Sequence, residues 1–296
     1  GDGTQDIFFN DPDTLFISLH QDGRTLYPGS GFQHEMGGPT ALGATVNIPL
    51  PPRTSEEGFL HALDAVVLPL LDEFKPELVI NSAGQDNHYT DPITNMCFSA
   101  QGYAELTRRL KPDIAVLEGG YSIEGALPYV NVGIIMAMAG LDTRQVREPD
   151  YHPERIRQSE DTTRYIERTA REILEWRRQL PDLREKAYRK GELHERELKI
   201  FYDTDNIMEL QTERIRLCRE CSGVLQIDSR TDKRYHILAI HIPRKACKTC
   251  QEMGYRWFDT ANPQEFHKIY LQDRTHDQYL IRKDRKSTRL NSSHRT

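Results

Sequence analysis

The sequence predicts an α/β protein whose first half holds a mainly parallel sheet and whose second half adds helices and a small β module. Residues 1–150 carry 8 Lys and Arg against 21 Asp and Glu, a net charge of −13, whereas the remainder carries +7. Four of the five cysteines lie in the second half. In the first half, short apolar runs alternate with amphipathic stretches, which indicates βαβ units. These contrasts predict two regions with different roles.

The composition excludes several classes of protein. The mean hydropathy is −0.67, and no uncharged apolar run approaches the length of a bilayer-spanning helix, so we expect no membrane partner. The net charge of −6 does not favour nucleic-acid binding. The first residues have neither the basic nor the apolar segment of a signal peptide, and we therefore expect a cytoplasmic protein.

Four short apolar segments bounded by turn residues are predicted strands. They cover residues 15–19, 45–48, 77–82 and 113–117. Three stretches with helical spacing of apolar residues are predicted helices. They cover residues 57–74, 100–110 and 124–141. Pro69 lies inside the first of these helices and should kink or interrupt it, because proline has no backbone N–H.

Polar clusters follow three of the predicted strands, where ligands bind in parallel α/β sheets. These clusters are Ser18–His20, Ser82–His88 and Glu118–Tyr121. Asp86 and His88 are metal-ligand types, and Tyr121 presents a hydroxyl on a Gly-Gly turn. Spacing alone leaves a second interpretation open, in which these are ordinary strand-to-helix turns and Asp86 caps a helix.

Six motifs carry a resemblance to a known family. They are Gly1-Asp-Gly-Thr-Gln, Ser18-Leu-His-Gln, Tyr27-Pro-Gly-Ser-Gly, Val46-Asn-Ile-Pro-Leu-Pro, Ser82-Ala-Gly-Gln-Asp-Asn-His and Leu117-Glu-Gly-Gly-Tyr. Their order and spacing resemble those of zinc-dependent histone deacetylases, above all the bacterial class II-like members such as acetylpolyamine amidohydrolases and acetoin-utilisation proteins. The resemblance implies a partial arginase/deacetylase fold, and we expect residues 1–148 to be the C-terminal part of the catalytic domain.

The resemblance also implies an activity, the removal of acetyl groups from acetyl-lysine or from an acetylated polyamine or small amine. Asp86 matches one ligand of the catalytic zinc, and Tyr121 matches the tyrosine that hydrogen-bonds the polarised carbonyl. Asp2 matches a carboxylate that orients a general-base histidine.

Further positions match residues around the substrate and a monovalent ion. Tyr27 matches a wall of the acyl-lysine tunnel, and Gly119 and Gly120 match its floor. The Ser18 hydroxyl and the Leu19 carbonyl match ligands of a structural potassium ion.

The family's other two zinc ligands and its general-base histidine pair precede the position that corresponds to Gly1. We therefore expect this chain to be a fragment that retains one zinc ligand and, expressed alone, does not hydrolyse acetyl-lysine. His88 is expected to serve as a hydrogen-bonding residue of its loop, because the family's metal set does not use it.

The second half is expected to contain a helical linker over residues 149–205 and a zinc-ribbon-like module over residues 206–283. The linker should hold one amphipathic helix that stops near Pro181 and a second charged helix over residues 183–200. Cys218 and Cys221 form one C-x2-C knuckle, and Cys247 and Cys250 form another.

Two knuckles supply the four thiolates of a closed, tetrahedral structural zinc site. The segments 224–227 and 235–241 between them predict a β-hairpin. Reduced or redox-active cysteines are the alternative interpretation. A protein or nucleic-acid partner of the module is possible but has no support in the sequence.

Residues 284–296 resemble a translated sequencing-adapter read-through and are expected to be disordered. For the whole chain, a second functional hypothesis stays open, namely a non-catalytic zinc-ribbon binding protein with a degenerate deacetylase-like module.

Overall fold

The computed structural model describes residues 2–149, 151–188, 192–283 and 286–290. These residues form two compact units. The N-terminal unit consists mainly of the described residues up to Leu180, and the C-terminal unit of those that follow. Two short segments, Asn10–Pro12 and Gly37–Leu42, also belong to the C-terminal unit.

The N-terminal unit contains two pairs of parallel strands, which confirms the predicted parallel pairing. Strand β1 (Phe16–Gln21) pairs with β2 (Thr45–Leu50), and β3 (Ile80–Ala83) pairs with β4 (Ile114–Leu117). Strand β3 begins later than predicted because the backbone of Val79 is bonded outside the ladder, to the amide and the carboxylate of Asp113.

The helices of this unit lie close to their predicted positions, except for α1, which was not predicted. They are α1 (Asp2–Phe8), α2 (Glu56–Ala62), α3 (Leu68–Phe74), α4 (Ala100–Leu110), α5 (Leu127–Met138) and α6 (Glu160–Arg178). The predicted interruption at Pro69 is confirmed, because a π-helical turn over Leu63–Val67 separates α2 from α3. Helix α4 begins where the Ser99 hydroxyl accepts the amide of Gly102 at 3.1 Å.

One hydrophobic core joins β2, α2, α4, α5 and α6. Phe59 and Phe98 stack at its centre with ring centroids 4.4 Å apart. Ile166 and Ile173 of α6 are buried in the same core. The compact unit therefore extends through α6, beyond the boundary that we expected at residue 148, because the buried face of the supposed linker helix packs on this core.

One face of the β3–β4 pair is apolar and exposed. Ile80 lies opposite Ile114, and Ser82 lies opposite Val116, so all four side chains share this face. The apolar side chains on this face are exposed: Ile80 by 55%, Ile114 by 43% and Val116 by 40%. The N-terminal unit thus leaves part of its sheet uncovered by its own described residues.

The C-terminal unit is built on one sheet of seven strands. After α7 (Leu180–Tyr188), its elements are β5 (Leu193–Tyr202), β6 (Ile207–Arg216), β7 (Leu225–Thr231), β8 (His236–Ile242), α8 (Lys248–Thr260), β9 (Lys268–Asp273), β10 (Gln278–Lys283) and β11 (Lys286–Leu290). The strands lie in sequence order, and every pair is antiparallel except β8 and β9. The predicted hairpin between the cysteine knuckles is confirmed as β7 and β8.

The helix predicted over residues 183–200 is wrong in its second part. Helix α7 ends at Tyr188, and β5 begins at Leu193. Side chains of β5 alternate between exposed and partly buried over most of its length, which is the period of a strand. All ten of its residues pair with β6. The boundary expected at residue 205 therefore cuts a hairpin, and the module begins before it.

Residues 286–290 differ from the disorder expected for residues 284–296. Their backbone forms β11 along the edge of β10, with Lys286 opposite Lys283. An open strand edge offers unpaired N–H and C=O groups to a following segment whatever its apolar pattern. Residues 284, 285 and 291–296 lie outside the described residues. Among the helices that the structure describes, none has the length and apolar character needed to cross a membrane.

Candidate functional site

Asp86 and Tyr121 meet beyond the carboxyl ends of β3 and β4. Ala83 lies opposite Leu117 at the ends of these strands, so the two following loops leave the sheet side by side. The Gln85 amide donates to the Gly119 carbonyl at 2.5 Å. A Cβ atom built on Gly119 would lie 3.2 Å from Asp86 Oδ2 and 3.5 Å from the Tyr121 hydroxyl. The carboxylate and the hydroxyl therefore border the same small space.

The two glycines of this turn allow the close approach. A Cβ atom on Gly120 would lie 2.9 Å from the Cβ atom of Gln85, which is closer than two such carbons can come. A side chain at Gly119 would fill the space that Asp86 and Tyr121 share. The Gly-Gly sequence is thus what keeps this space open.

The Asp86 carboxyl lies in an environment that disfavours its charge. Burial raises its pKa, and the negative charge of Asp91 acts in the same direction. Asp91 is itself engaged, because its Oδ2 accepts the amide of Tyr121 at 2.9 Å and its Oδ1 accepts the amide of Ile93 at 2.9 Å. A cation beside Asp86 would favour the ionised carboxylate, as a metal ligand requires.

The described residues around Asp86 do not by themselves complete a catalytic zinc site. Such a site has three protein ligands. Among the residues that the structure describes, the only group of three or more metal-ligating side chains close enough to hold an ion is formed by cysteines elsewhere. His88 is buried, and its ring is bonded to Thr90 and Glu148. As expected, His88 acts as a hydrogen-bonding residue of its loop.

Other residues singled out in the sequence lie on different elements. Asp2 is exposed in the first turn of α1. Tyr27 is 82% exposed in the loop between β1 and β2, where it precedes a cis proline. Ser18 lies in β1 with its hydroxyl 2.8 Å from the Nδ1 atom of His20. Leu19 pairs with Ile48 in the ladder. Their predicted roles stay predictions.

The four cysteines of the C-terminal unit converge. Cys218 and Cys221 follow β6, whereas Cys247 and Cys250 lie at the start of α8. All four Sγ atoms lie within 4.8 Å of one another, and those of Cys218 and Cys247 are 3.6 Å apart. A tetrahedral zinc with Zn–S bonds of about 2.3 Å needs sulfur atoms about 3.8 Å apart. The cluster therefore fits a four-thiolate zinc ion.

Backbone amides and one guanidinium group face these sulfur atoms. Burial opposes ionisation of Cys218, but hydrogen bonds from the backbone N–H groups of Glu220 and Cys221, together with those of the Cys247 and Cys221 side chains, lower its pKa to about 7. Burial raises the pKa of Cys250. Nη1 of Arg216 lies 3.1 Å from Cys250 Sγ and 3.4 Å from Cys218 Sγ. Arg216 thus supplies positive charge where thiolates bound to a metal would carry negative charge.

Sequence reasoning missed the residues that hold this cluster. Arg216 donates from Nε to Glu192 at 3.0 Å, and the Tyr188 hydroxyl donates to the Cys218 carbonyl at 3.0 Å. Gly223 has φ of +80°, and a Cβ atom there would lie 2.0 Å from the Arg216 carbonyl oxygen. The glycine after the first knuckle was a usable signal, whereas nothing in the sequence pattern marks Tyr188 or Glu192.

Comparison with known proteins relates the N-terminal unit to deacetylases. Residues 1–131 match the histone deacetylase domain family. A protein of Archaeoglobus fulgidus named "Probable deacetylase" is 52% identical over 172 residues, which cover 55% of this chain and 47% of that protein. "Acetoin utilization protein AcuC" of Bacillus subtilis is 32% identical over 160 residues, which cover 51% of this chain and 41% of that protein.

A solved structure gives the same relationship. The structure described as the HDA15 HD domain superposes with a TM-score of 0.51 and 26% sequence identity, covering 64% of this chain and 51% of that one. The chain thus spans about half the length, or less, of the relatives it matches.

Proposed function

We propose that residues 1–131, which match the histone deacetylase domain family, carry the tyrosine and one metal-binding carboxylate of a zinc-dependent amidohydrolase. Its substrates are acetyl-lysine or an acetylated polyamine or small amine. The space that Asp86 and Tyr121 share supports this proposal. The carbonyl oxygen of the substrate would need to reach both a metal held by Asp86 and the hydroxyl of Tyr121.

In this function Tyr121 donates its hydroxyl hydrogen to the oxygen of the acetyl carbonyl. As the carbonyl becomes tetrahedral, its oxygen gains negative charge, and the hydrogen bond strengthens. Tyr121 is 52% exposed, so its hydroxyl is available to a substrate. Gly119 and Gly120 form the floor beneath the acyl group. Asp86 would supply one carboxylate ligand to a zinc ion that polarises the carbonyl, and the described residues around it do not complete that site.

Substitution of Tyr121 tests this proposal in the full-length gene product that contains residues 1–283. Tyr121→Phe should lower kcat on an acetyl-lysine peptide about 100-fold, because one oxyanion donor is lost, and should leave bound zinc unchanged. Tyr235→Phe is the matched control, because Tyr235 is an exposed tyrosine of the C-terminal unit. Equal turnover by Tyr121→Phe and the unsubstituted protein would contradict the assignment.

We propose that the 296-residue chain alone does not hydrolyse acetyl-lysine. The ligand set around Asp86 supports this proposal, because it is incomplete among the described residues. Incubation of the purified chain with zinc and an acetyl-lysine peptide should release no acetate above the rate of a Tyr121→Phe sample. Zinc-dependent release that Tyr121→Phe abolishes would show that this chain contains a working site.

The C-terminal unit has a different proposed role. Cys218, Cys221, Cys247 and Cys250 hold a structural zinc, because their sulfur atoms already have the spacing of a tetrahedral site. A zinc with four thiolates has no open position for substrate, so the site contributes stability and not catalysis. Asp2 as an orienting carboxylate, Tyr27 as a tunnel wall and potassium at Ser18 and Leu19 remain parts of the proposal that await tests of their own.

A further inference from the structure

A histidine and a glutamate form a buried pair in the N-terminal unit. His88 is 1% exposed, and its Nε2 atom lies 2.5 Å from Oε1 of Glu148. The second oxygen of Glu148 accepts the amide of Ala100 at 2.9 Å, at the first residue of α4. A buried carboxylate and a buried imidazole are costly unless they are hydrogen-bonded, and here each satisfies the other.

The other nitrogen of His88 leads toward Tyr121. His88 Nδ1 lies 2.8 Å from the Thr90 hydroxyl, which lies 2.7 Å from the Ser122 hydroxyl. Ser122 directly follows Tyr121 in the chain. Four side chains, Glu148, His88, Thr90 and Ser122, thus form a continuous hydrogen-bonded chain that ends beside Tyr121. We call these four residues the Glu148 relay.

We propose that the Glu148 relay is a positioning device that fixes the Tyr121 turn, and with it the Tyr121 hydroxyl, against Asp86. This inference rests on the proposed role of Tyr121 in deacetylation. None of the four relay residues is placed in contact with substrate, so they act through Tyr121 and not on the reacting atoms.

Tyr121 needs such a device because its own side chain is half exposed and receives little support from packing. Its turn is held instead through its neighbours. Asp91 accepts the Tyr121 amide, Gly119 accepts the Gln85 amide, and Ser122 is held by Thr90. Gln85, Thr90 and Asp91 all lie between β3 and α4, so one loop carries all three anchors. A displacement of about 1 Å at a catalytic group can lower turnover about 100-fold.

Gly125 packs against the last link of the relay. A Cβ atom there would lie 2.8 Å from the Ser122 hydroxyl and 2.8 Å from the Thr90 hydroxyl. Gly125→Ala therefore pushes these two hydroxyls apart while all four relay side chains remain. It complements Ser122→Ala, which removes the last hydroxyl, and Glu148→Ala, which removes the far end.

Amide hydrogen exchange of the 296-residue chain tests the inference without activity. Ser122→Ala, Gly125→Ala and Glu148→Ala should each speed exchange of the Tyr121 amide about 5- to 10-fold, the effect of losing one net hydrogen bond. Glu148→Gln, which keeps an acceptor oxygen, should restore most of the protection lost in Glu148→Ala. Glu35→Gln is the control, because Glu35 holds the separate turn at Gly31 and Phe32.

If Glu148→Ala fails to fold, Ser122→Ala and Gly125→Ala still test the inference, because they change only small side chains. Tyr121 exchange that is unaltered in both of these variants overturns the inference. Exchange that rises equally across the whole N-terminal unit also overturns it, since that result describes general destabilisation.

Kinetics of the full-length gene product separate this inference from the proposed function. Relay variants should lower kcat on an acetyl-lysine peptide and leave KM unchanged, because they misplace a donor that acts on the transition state. If Tyr121→Phe does not slow turnover, the proposed function fails. If Tyr121→Phe slows turnover while the relay variants alter neither kcat nor Tyr121 exchange, the relay alone fails.

Discussion

In the C-terminal unit four thiol groups converge within 4.8 Å, whereas in the N-terminal unit Asp86 lies beside Tyr121 outside any comparable group of described residues. The sheets of both units expose apolar side chains, namely Ile80 and Ile114 in the N-terminal unit and Phe201 and Met208 in the C-terminal unit. The contrast therefore lies in the ligands, because one unit gathers a complete set and the other holds part of a site.

Removal of metal should produce the largest difference between the two units. Binding of a structural zinc contributes about 10–16 kcal/mol to folding of small zinc domains. A chelator, or the substitution Cys250→Ser, should therefore abolish the cooperative unfolding transition of the C-terminal unit. The transition of the N-terminal unit should persist, as followed by calorimetry.

Cys97→Ser provides the control for that experiment. Cys97 is buried in the N-terminal unit and is not a member of the cluster, so its substitution should leave zinc content unchanged. A C-terminal unit that melts at the same temperature with and without chelator would show that zinc is not its structural element.

Buried and exposed apolar side chains of the N-terminal unit should contribute differently to its stability when each is replaced by alanine. Phe59→Ala should destabilise the unit by about 3–5 kcal/mol, because Phe59 is 2% exposed and stacks on Phe98. Ile135→Ala should change stability by only about 0.5 kcal/mol, since Ile135 is 64% exposed. Denaturant unfolding measures both, and comparable losses would mean that the side of α5 that bears Ile135 is covered in solution.

The smallest expected effect concerns a surface ion pair. Arg108 and Arg109 lower the pKa of Glu105 from 4.5 to about 2. A depressed carboxyl pKa stabilises the fold above the unfolded value of 4.5, and this stabilisation disappears as the pH falls from 4.5 to 2. Glu105→Gln should therefore cost less than about 1 kcal/mol at pH 7, given partial exposure, and nothing near pH 2.

Urea unfolding at both pH values checks this prediction. Arg164 and Glu160 form a more exposed pair of the same kind, and Glu160→Gln serves as the comparison. A pH-independent cost of Glu105→Gln would contradict the electrostatic explanation.

The sequence predicts best those features that depend on local pattern. The strands β1 to β4, the interruption before Pro69 and the hairpin between the knuckles follow from apolar runs, a missing N–H group and turn residues. The cysteine spacing likewise predicts a cluster, because each C-x2-C knuckle brings two sulfur atoms together before the chain folds further.

The features that sequence reasoning missed depend on pairing between distant segments. Leu193–Tyr202 is rich in charge and lacks a strongly apolar face, so only its ladder with β6 makes it a strand. Glu148 and His88 are 60 positions apart in the sequence, and no local pattern predicts that they form a pair. Arg216 reaches Cys250 in the same non-local way.

Zinc stoichiometry of the purified 296-residue chain tests the contrast between the two units most directly. We expect one zinc per chain, as measured by plasma emission spectrometry after dialysis. Asp86→Asn should retain this zinc, and Cys250→Ser should lose it. Two zinc ions per chain, or one that Asp86→Asn releases and Cys250→Ser retains, would show that the N-terminal unit binds the metal.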